Sequence, residues 1–508
     1  MRVKTRKKPP KPKDNCIENS PDPSNLPRLF LLIGGFFGLV MLLLTPPFQV
    51  PDEHDHFFRA VMISSGQFVA KSYPFTETER KKAPPKYLKG KGGVVPVSIP
   101  YTTRKVNHKL PFHPENKQQL SDLKEMLILP LHMKGMPEVF INTSAGGYAP
   151  VLYLPAALTI AAGKLINLSP LWLMYLGRLA NLMVFLSLVY WTLKIAPTGK
   201  WIIFLLALMP MSLFLAPSLS IDGLIIASSL LLTATLLDLD RNGQQPVGQR
   251  ARFIVPGTLT ILALGKVVYC PLIILIFLSP KAIFGKDRSR LYLFVGSLGL
   301  ATISYLIWHW FTSTTGTATI TNIPFDYTNF QAKDKLMPLL NSKKQLQFLL
   351  HFPSSIFTIL SRTMQEQGRH YFESFIGLLG WLDTRLPVWI YISYPIALIV
   401  GALGTHPTGN RILIEKTLLT LIWAVCSGAI LLGFYLLATP VGNALIGGIQ
   451  GRYFIPTALP LLLIFNFGYR RPIKTNHPLA VHFTSIWPVF YTCIVLLTTI
   501  FTIWNRYY

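Results

Sequence analysis

The chain has 508 residues, of which 51% are apolar and only 14% charged. An average soluble protein carries roughly 25% charged residues, so a soluble enzyme, a disordered chain and a disulfide scaffold are all excluded. Lys and Arg give a formal net charge of +26, which in a lipid-embedded chain points to anionic head groups and phosphate-bearing substrates, not to nucleic acid.

The apolar content is enough for about ten spans of roughly 20 residues each. The expected fold class is therefore all-α, a polytopic transmembrane helix bundle of about 10–12 apolar helices, some short or interfacial. Four cysteines (Cys16, Cys270, Cys426, Cys493) lie too far apart for a zinc site or a disulfide framework.

In chain order, residues 1–28 carry Arg2, Lys4, Arg6, Lys7, Lys8, Lys11, Lys13 and Arg28 among prolines. This predicts a disordered basic cytoplasmic tail. Residues 29–45 predict a retained first transmembrane helix, because the preceding tail is long and no small-x-small cleavage site follows. Residues 46–149 predict a large extracytoplasmic loop, 150–311 a transmembrane bundle, 312–386 a second large extracytoplasmic loop, and 387–508 the C-terminal transmembrane helices.

Short basic loops set the sides. Lys194 with Lys200, Arg241 with Arg250 and Arg252, Lys281 with Lys286, Arg288 and Arg290, and Arg470 with Arg471 and Lys474 should all be cytoplasmic. Parity then requires two adjustments. The run 150–166 must lie at the outer interface or insert only partly. The run 253–279, broken at Gly265-Lys266, must be two short segments whose tip points outward.

The most informative stretch is Thr45-Pro46-Pro47-Phe48-Gln49-Val50-Pro51-Asp52-Glu53-His54-Asp55-His56-Phe57-Phe58-Arg59. Proline followed by acids is a helix-start signal. Helical spacing puts Asp52, Asp55, His56 and Arg59 on one side and Glu53 on another. A carboxylate held at the outer membrane surface can act as general base on a sugar hydroxyl; the alternative is acids that merely stabilise a helix N-terminus. No cofactor is required by the pattern, although a divalent cation held by His54, Asp55 and His56 stays open.

Three later stretches add candidates. Asp222 either caps the following helix or adds a second carboxylate to the same pocket. Lys266 either snorkels or contacts phosphate. Arg369, Glu373 and Asp383 flank an aromatic, glycine-rich segment. Arg452 and Tyr453 follow two glycines at an apolar helix start, where backbone N–H groups and a guanidinium can bind an anion.

Four motifs together carry a resemblance: Pro51-Asp52-Glu53 with His56 and Arg59, Ser220-Ile221-Asp222-Gly223, Phe375-Ile376-Gly377-Leu378-Leu379-Gly380-Trp381, and Gln450-Gly451-Arg452-Tyr453-Phe454-Ile455-Pro456. Over residues 29–468 the chain resembles the bacterial multi-pass family filed as domain-of-unknown-function family 2142. That family is similar to the GT-C superfamily of membrane glycosyltransferases.

The resemblance implies an enzyme of the bacterial plasma membrane with its N-terminus cytoplasmic and its active site extracytoplasmic. It implies a polyprenyl-phosphate-linked sugar donor, a glycan, teichoic acid or glycolipid acceptor, and inversion at the anomeric carbon. Asp52 or Glu53 would then be the base. Asp55, His56, Arg59, Asp222, Lys266, Arg369, Glu373, Arg452 and Tyr453 would bind substrate. The other readings are a transporter or flippase of lipid-linked saccharides, which favours charged residues within spans, and a polymerase using an oligosaccharide-diphosphate donor.

Overall fold

The computed structural model describes residues 25–77, 90–107, 109–132, 135, 138–241, 247–278, 288–318, 340–403, 412–466 and 478–508. Most of the expected tail over 1–28 lies outside the described residues, as do Lys281, Lys286, Arg470, Arg471 and Lys474.

The described residues are mostly helical, with seventeen α-helices. Helix α1 is Leu26–Leu44 and α2 is Glu53–Ser64. Strand β1 (Gly92–Pro96) pairs antiparallel with β2 (Glu138–Asn142), and between them lie α3 (Ser98–Asn107) and α4 (Leu120–Ile128). Next come α5 (Leu154–Leu165), α6 (Pro170–Ile195), α7 (Lys200–Leu208), α8 (Pro210–Leu215), α9 (Asp222–Arg241) and α10 (Gln249–Lys266). A 3-10 segment over Val267–Phe277 leads to α11 (Ser289–Thr314), α12 (Ser342–His351) and α13 (Ser355–Ile376). The short pair β3 (Leu378–Leu379) and β4 (Thr384–Arg385) precedes α14 (Val388–Leu403), α15 (Ile412–Ala438), α16 (Ile455–Asn466) and α17 (Pro478–Tyr507). The all-α expectation thus holds for the bundle, and two small ribbons are added to it.

Local chemistry explains the boundaries. Thr45-Pro46-Pro47 ends α1, because proline offers no N–H and restrains the residue before it. Ser169 caps α6 by accepting from the Trp172 amide, with Pro170 at the first helical position. Met209-Pro210 divides α7 from α8. Lys266 adopts extended backbone (φ −147°, ψ 90°) and ends α10.

Among the described residues seven helical stretches are long and apolar enough to cross a membrane by length and composition, Gln249–Phe277 with its break at Lys266 being one of them. Small residues let them approach: a Cβ on Gly38 of α1 would lie 2.7 Å from Leu182 of α6. Most of α11 is exposed, and its exposed Leu, Ile and aromatic side chains suit lipid contact.

The helix ends sort into two faces. On one, Arg290 donates to the Leu239 carbonyl at 2.5 Å, the Val247 amide donates to Ser289 Oγ at 3.4 Å, and Gly199 packs on Leu463. The described chain around 194–200, 239–241, 247–252 and 288–290 therefore shares this far face. The opposite face, the site face, carries α2, the ribbons and the loops over 217–223 and 439–452.

Two runs that the parity argument singled out have distinctive courses. Helix α5 runs beside α2 on the site face: Tyr153 bonds His56 at its start, and Lys164 near its end donates to the Val61 carbonyl (3.1 Å) and Ser65 Oγ (2.6 Å). The stretch Gln249–Phe277 doubles back. Lys266 reaches Asp222 on the site face, whereas Phe277 packs on Phe294 near the start of α11 (centroids 4.8 Å).

One buried ion pair locks the junction of these parts. Arg178 of α6 meets Glu53 through Nε–Oε1 (2.8 Å) and Nη2–Oε2 (2.6 Å), and both residues are at most 1% exposed. The same guanidinium donates to the carbonyls of Leu42, Thr45 and Pro46. Glu53 Oε1 also accepts from the Leu219 amide at 3.2 Å. The pair thus joins the end of α1, the start of α2, α6 and the 217–223 loop. Removing one member strands a buried charge. Arg178→Gln or Glu53→Gln alone should cost about 3–5 kcal/mol, read as detergent-solubilised thermal unfolding. The double variant should lose less than the two singles added. Strict additivity would show that the pair is not a coupled lock.

Candidate functional site

The turn between α1 and α2 divides neighbouring acids. Phe48 (φ 63°) and Asp52 (φ 61°) both take left-handed backbone, which non-glycine residues adopt rarely and which clusters at functional positions. The Trp381 indole N–H fixes this turn by donating to the Phe48 carbonyl at 3.0 Å. Asp52 consequently faces solvent while Glu53 turns inward. Among the described residues the Asp52 carboxylate has no hydrogen bond or ion pair, whereas both oxygens of Glu53 are taken. The Asp52 carbonyl accepts from the Asp55 and His56 amides (3.0 and 3.2 Å) and opens α2.

Facing Asp52 is a buried charge cluster. Asp222 begins α9, and its amide, not its carboxylate, is bonded to Ser220 Oγ at 3.2 Å. The carboxylate instead pairs with Lys266 through Oδ1 and lies 3.3 Å from Arg452 Nε through Oδ2. The Lys266 ammonium stands 4.3 Å from the Tyr453 ring centroid, and the Arg452 guanidinium 5.4 Å from the same ring. The Tyr269 hydroxyl donates to the Tyr453 carbonyl at 2.7 Å. One carboxylate therefore serves two cations. Arg452 is 5% exposed, and its Nε and Nη1 lack a hydrogen-bond acceptor of good geometry. A buried, under-satisfied guanidinium beside a surplus positive charge is suited to an anion.

The backbone places Arg452 deliberately. Loop 439–452 lies along α12 and α13, whose side chains accept its amides: Gln345 Oε1 from Gly442 (2.9 Å), Thr363 Oγ1 from Ile446 (3.1 Å) and Ser374 Oγ from Gly451 (2.7 Å). Gly451 is required there, because an added Cβ would collide with the Tyr371 carbonyl and the Phe375 amide.

His56 and Tyr148 form a further wall. Their rings stack with centroids 6.0 Å apart, and His56 Nδ1 shares a 2.7 Å hydrogen bond with the Tyr153 hydroxyl. Burial lowers the His56 pKa to about 4, against the raising influence of the Asp222 and Asp52 charges. His56 is thus neutral near pH 7. Burial raises Tyr148. A cavity of about 480 Å³ lies between α10, α11 and α15, with Lys266, Tyr148, Tyr453, Trp308 and Phe434 on its walls.

The structure brings together Asp52, His56, Asp222, Lys266, Arg452 and Tyr453. It separates the others. Arg59 is wholly buried and donates to the carbonyls of Phe68 (2.6 Å) and Tyr148 (3.1 Å), bracing the loop that carries Tyr148. Asp55 takes a 2.5 Å hydrogen bond from Ser144 Oγ. Arg369 is largely exposed and pairs with Glu373 (2.7 Å), which also meets Arg385 (3.1 Å). His54, Asp55 and His56 do not converge: they engage Trp381, Ser144 and Tyr153 in turn, because consecutive helical residues diverge. Among the described residues no group of three or more His, Cys, Asp or Glu could hold a metal ion.

Sequence reasoning missed Arg178, Tyr148 and Tyr153. An arginine within an otherwise apolar helix was a visible signal for the first. The tyrosines carry no pattern of their own.

Two predictions follow from this geometry. His56 binds its proton less tightly folded (about 4) than unfolded (6.5). Between those values the unfolded chain holds more protons, so stability falls as pH drops from 6.5 to 4, by up to about 3 kcal/mol from this group. Melting temperatures across that window should show the fall, and His56→Gln should flatten it. Gly451→Ala should cost about 1–3 kcal/mol by overpacking; an unchanged melting temperature would show that the α13 contact yields freely.

Comparison with known proteins gives one match. The family described as a predicted membrane protein (DUF2142) matches residues 35–461, so the chain belongs to that family. No curated protein and no solved structure matches it.

Proposed function

We propose that this member of the family is a membrane glycosyltransferase of GT-C type. It transfers a sugar from a polyprenyl-phosphate carrier to a cell-envelope polysaccharide, teichoic acid or glycolipid. The observation that carries this reading is a single unengaged carboxylate, Asp52, beside a buried cluster with one more cation than anion. That cluster adjoins a largely apolar cavity between helices. A donor of this kind has the same division: an isoprenoid chain, a phosphate and a sugar.

In the proposed reaction Asp52 accepts the proton of an acceptor hydroxyl. The hydroxyl oxygen attacks the anomeric carbon and the bond from that carbon to the phosphate oxygen breaks, inverting the configuration. The electron pair leaves with the polyprenyl phosphate, whose growing charge Lys266 and Arg452 stabilise where water is scarce. Asp222 keeps the two cations in place and prevents their mutual repulsion. Neutral His56 and Tyr148 line the site without adding charge. Glu53 is unsuited to the base role, because Arg178 and the Leu219 amide occupy its oxygens. Arg59 and Arg369 are engaged elsewhere and leave the clamp to Lys266 and Arg452.

The sidedness supports an extracytoplasmic site in the bacterial plasma membrane. The described basic loops gather on the far face, which the distribution of Lys and Arg assigns to the cytoplasm. A transporter reading would gain from charges along a path across the bilayer. Instead Asp52, Asp222, Lys266 and Arg452 sit together on one face. A polymerase would share the chemistry and differ in its diphosphate donor.

The decisive measurement is transfer by purified protein in nanodiscs, supplied with radiolabelled polyprenyl-phosphate hexoses and envelope extract. Asp52→Asn should lower kcat by about 10²–10⁴-fold, and Arg452→Gln should lower donor use by about 10²–10³-fold. Wild-type transfer by Asp52→Asn would remove the base assignment. Glycan analysis of a deletion strain would name the sugar.

A further inference from the structure

The site face also carries an aromatic platform that the proposed chemistry does not use. Phe112, Trp381 and His54 form a series of rings. Phe112 meets Trp381 edge-on at 5.7 Å between centroids, and Trp381 stacks on His54 at 5.8 Å and 27°. Phe112 is 67% exposed, an unfavourable position for a large apolar ring unless something covers it.

The protein holds this ring in place. Phe112 has left-handed backbone (φ 62°), as do Leu382 and Gly380 on either side of Trp381. The Phe112 amide donates to Asp383 Oδ2 at 3.1 Å. Arg506, near the end of α17, lies 3.3 Å from the same oxygen and donates to the carbonyls of Leu110, His113 and Asn116. A mostly buried ion pair thus holds the loop that displays an exposed phenylalanine. Strain maintained in this way is characteristic of ligand clamps.

The platform adjoins the free carboxylate. Trp381 is bonded to Phe48, in the turn that carries Asp52, and His54 lies in the first turn of α2. The His54 Nδ1 atom is buried with no hydrogen-bond partner. The exposed Phe112 ring beside the half-buried Trp381 suits a pyranose. One face of a pyranose presents C–H bonds, and its edge presents hydroxyls. A lipid chain has no hydroxyl to offer the exposed Asp52 carboxylate on the adjoining turn, whereas a sugar has.

We infer that Phe112, Trp381 and His54 form the acceptor subsite, on which a neutral pyranose of the acceptor glycan stacks with a hydroxyl directed to Asp52. This rests on the glycosyl-transfer reading but is tested without transfer. The probes are maltotriose, chitotriose and mannotriose at millimolar concentration with the full chain in nanodiscs, observed by saturation-transfer difference NMR. At least one should receive saturation on a single ring face. Phe112→Ala should weaken that binding about fivefold, the size of one aromatic contact, and Phe112→Tyr should restore it. Equal binding by Phe112→Ala, or no one-faced contact from any of the three, overturns the subsite. Absence of sugar transfer by the wild-type chain would overturn the transfer reading instead, so the two failures are separable. Because Phe112 is exposed, an unchanged melting temperature should accompany its replacement.

Discussion

The buried Glu53–Arg178 pair is the constraint on which the site depends. It is costly to bury two charges, and the cost is offset only when geometry is good and the remaining donors are satisfied. Here Arg178 also satisfies three carbonyls that the prolines after α1 leave without helical partners. The pair sets the rotation of α2. With Glu53 directed inward, Asp52 faces water and His56 faces the buried cluster. Through the Leu219 amide it also fixes the loop that delivers Asp222. Glu53, the neighbour of the free carboxylate, is the residue that positions it.

A second balance operates a short distance away. Asp222, Lys266 and Arg452 arrive from three distant parts of the chain, each where a helix begins or breaks. Two cations beside one anion would be unfavourable in lipid without further compensation. The Tyr453 ring face supplies some of it. What stays uncompensated is one surplus positive charge. Rigidity comes from outside the bundle: α12 and α13 hold the 439–452 loop by a row of side-chain acceptors, and Gly451 permits the closest approach.

Much of the fold was legible because lipid imposes a simple rule. Every backbone polar group must be satisfied within a helix, so apolar runs read directly as helices. The distribution of Lys and Arg asked that 253–279 be broken at Gly265-Lys266, and in the structure α10 ends at Lys266, which meets Asp222, while Phe277 packs on Phe294. The site was less legible. Proximity in sequence suggested a shared role for Asp52 and Glu53, and for His54, Asp55 and His56. A helix sends adjacent side chains about 100° apart, so each found a different neighbour. Arg59 and Arg369 matched the chemistry of a phosphate clamp by residue type alone, but their partners are local: backbone carbonyls for one, the carboxylate one turn along for the other.

The amino-acid sequence by itself determined the class of protein, the approximate positions of the helices, and the short list of acids and cations from which the candidate site is drawn. These follow from composition, from the length a bilayer requires and from the local effects of proline and glycine. Only the tertiary structure decided which acid is free, which cations share Asp222, and that Phe112 is displayed beside Trp381. Those outcomes depend on pairings between residues 125 apart for Glu53 and Arg178 and 271 apart for Phe112 and Asp383. Local propensity contains no information about such pairings, since the partners meet only after the helices have packed.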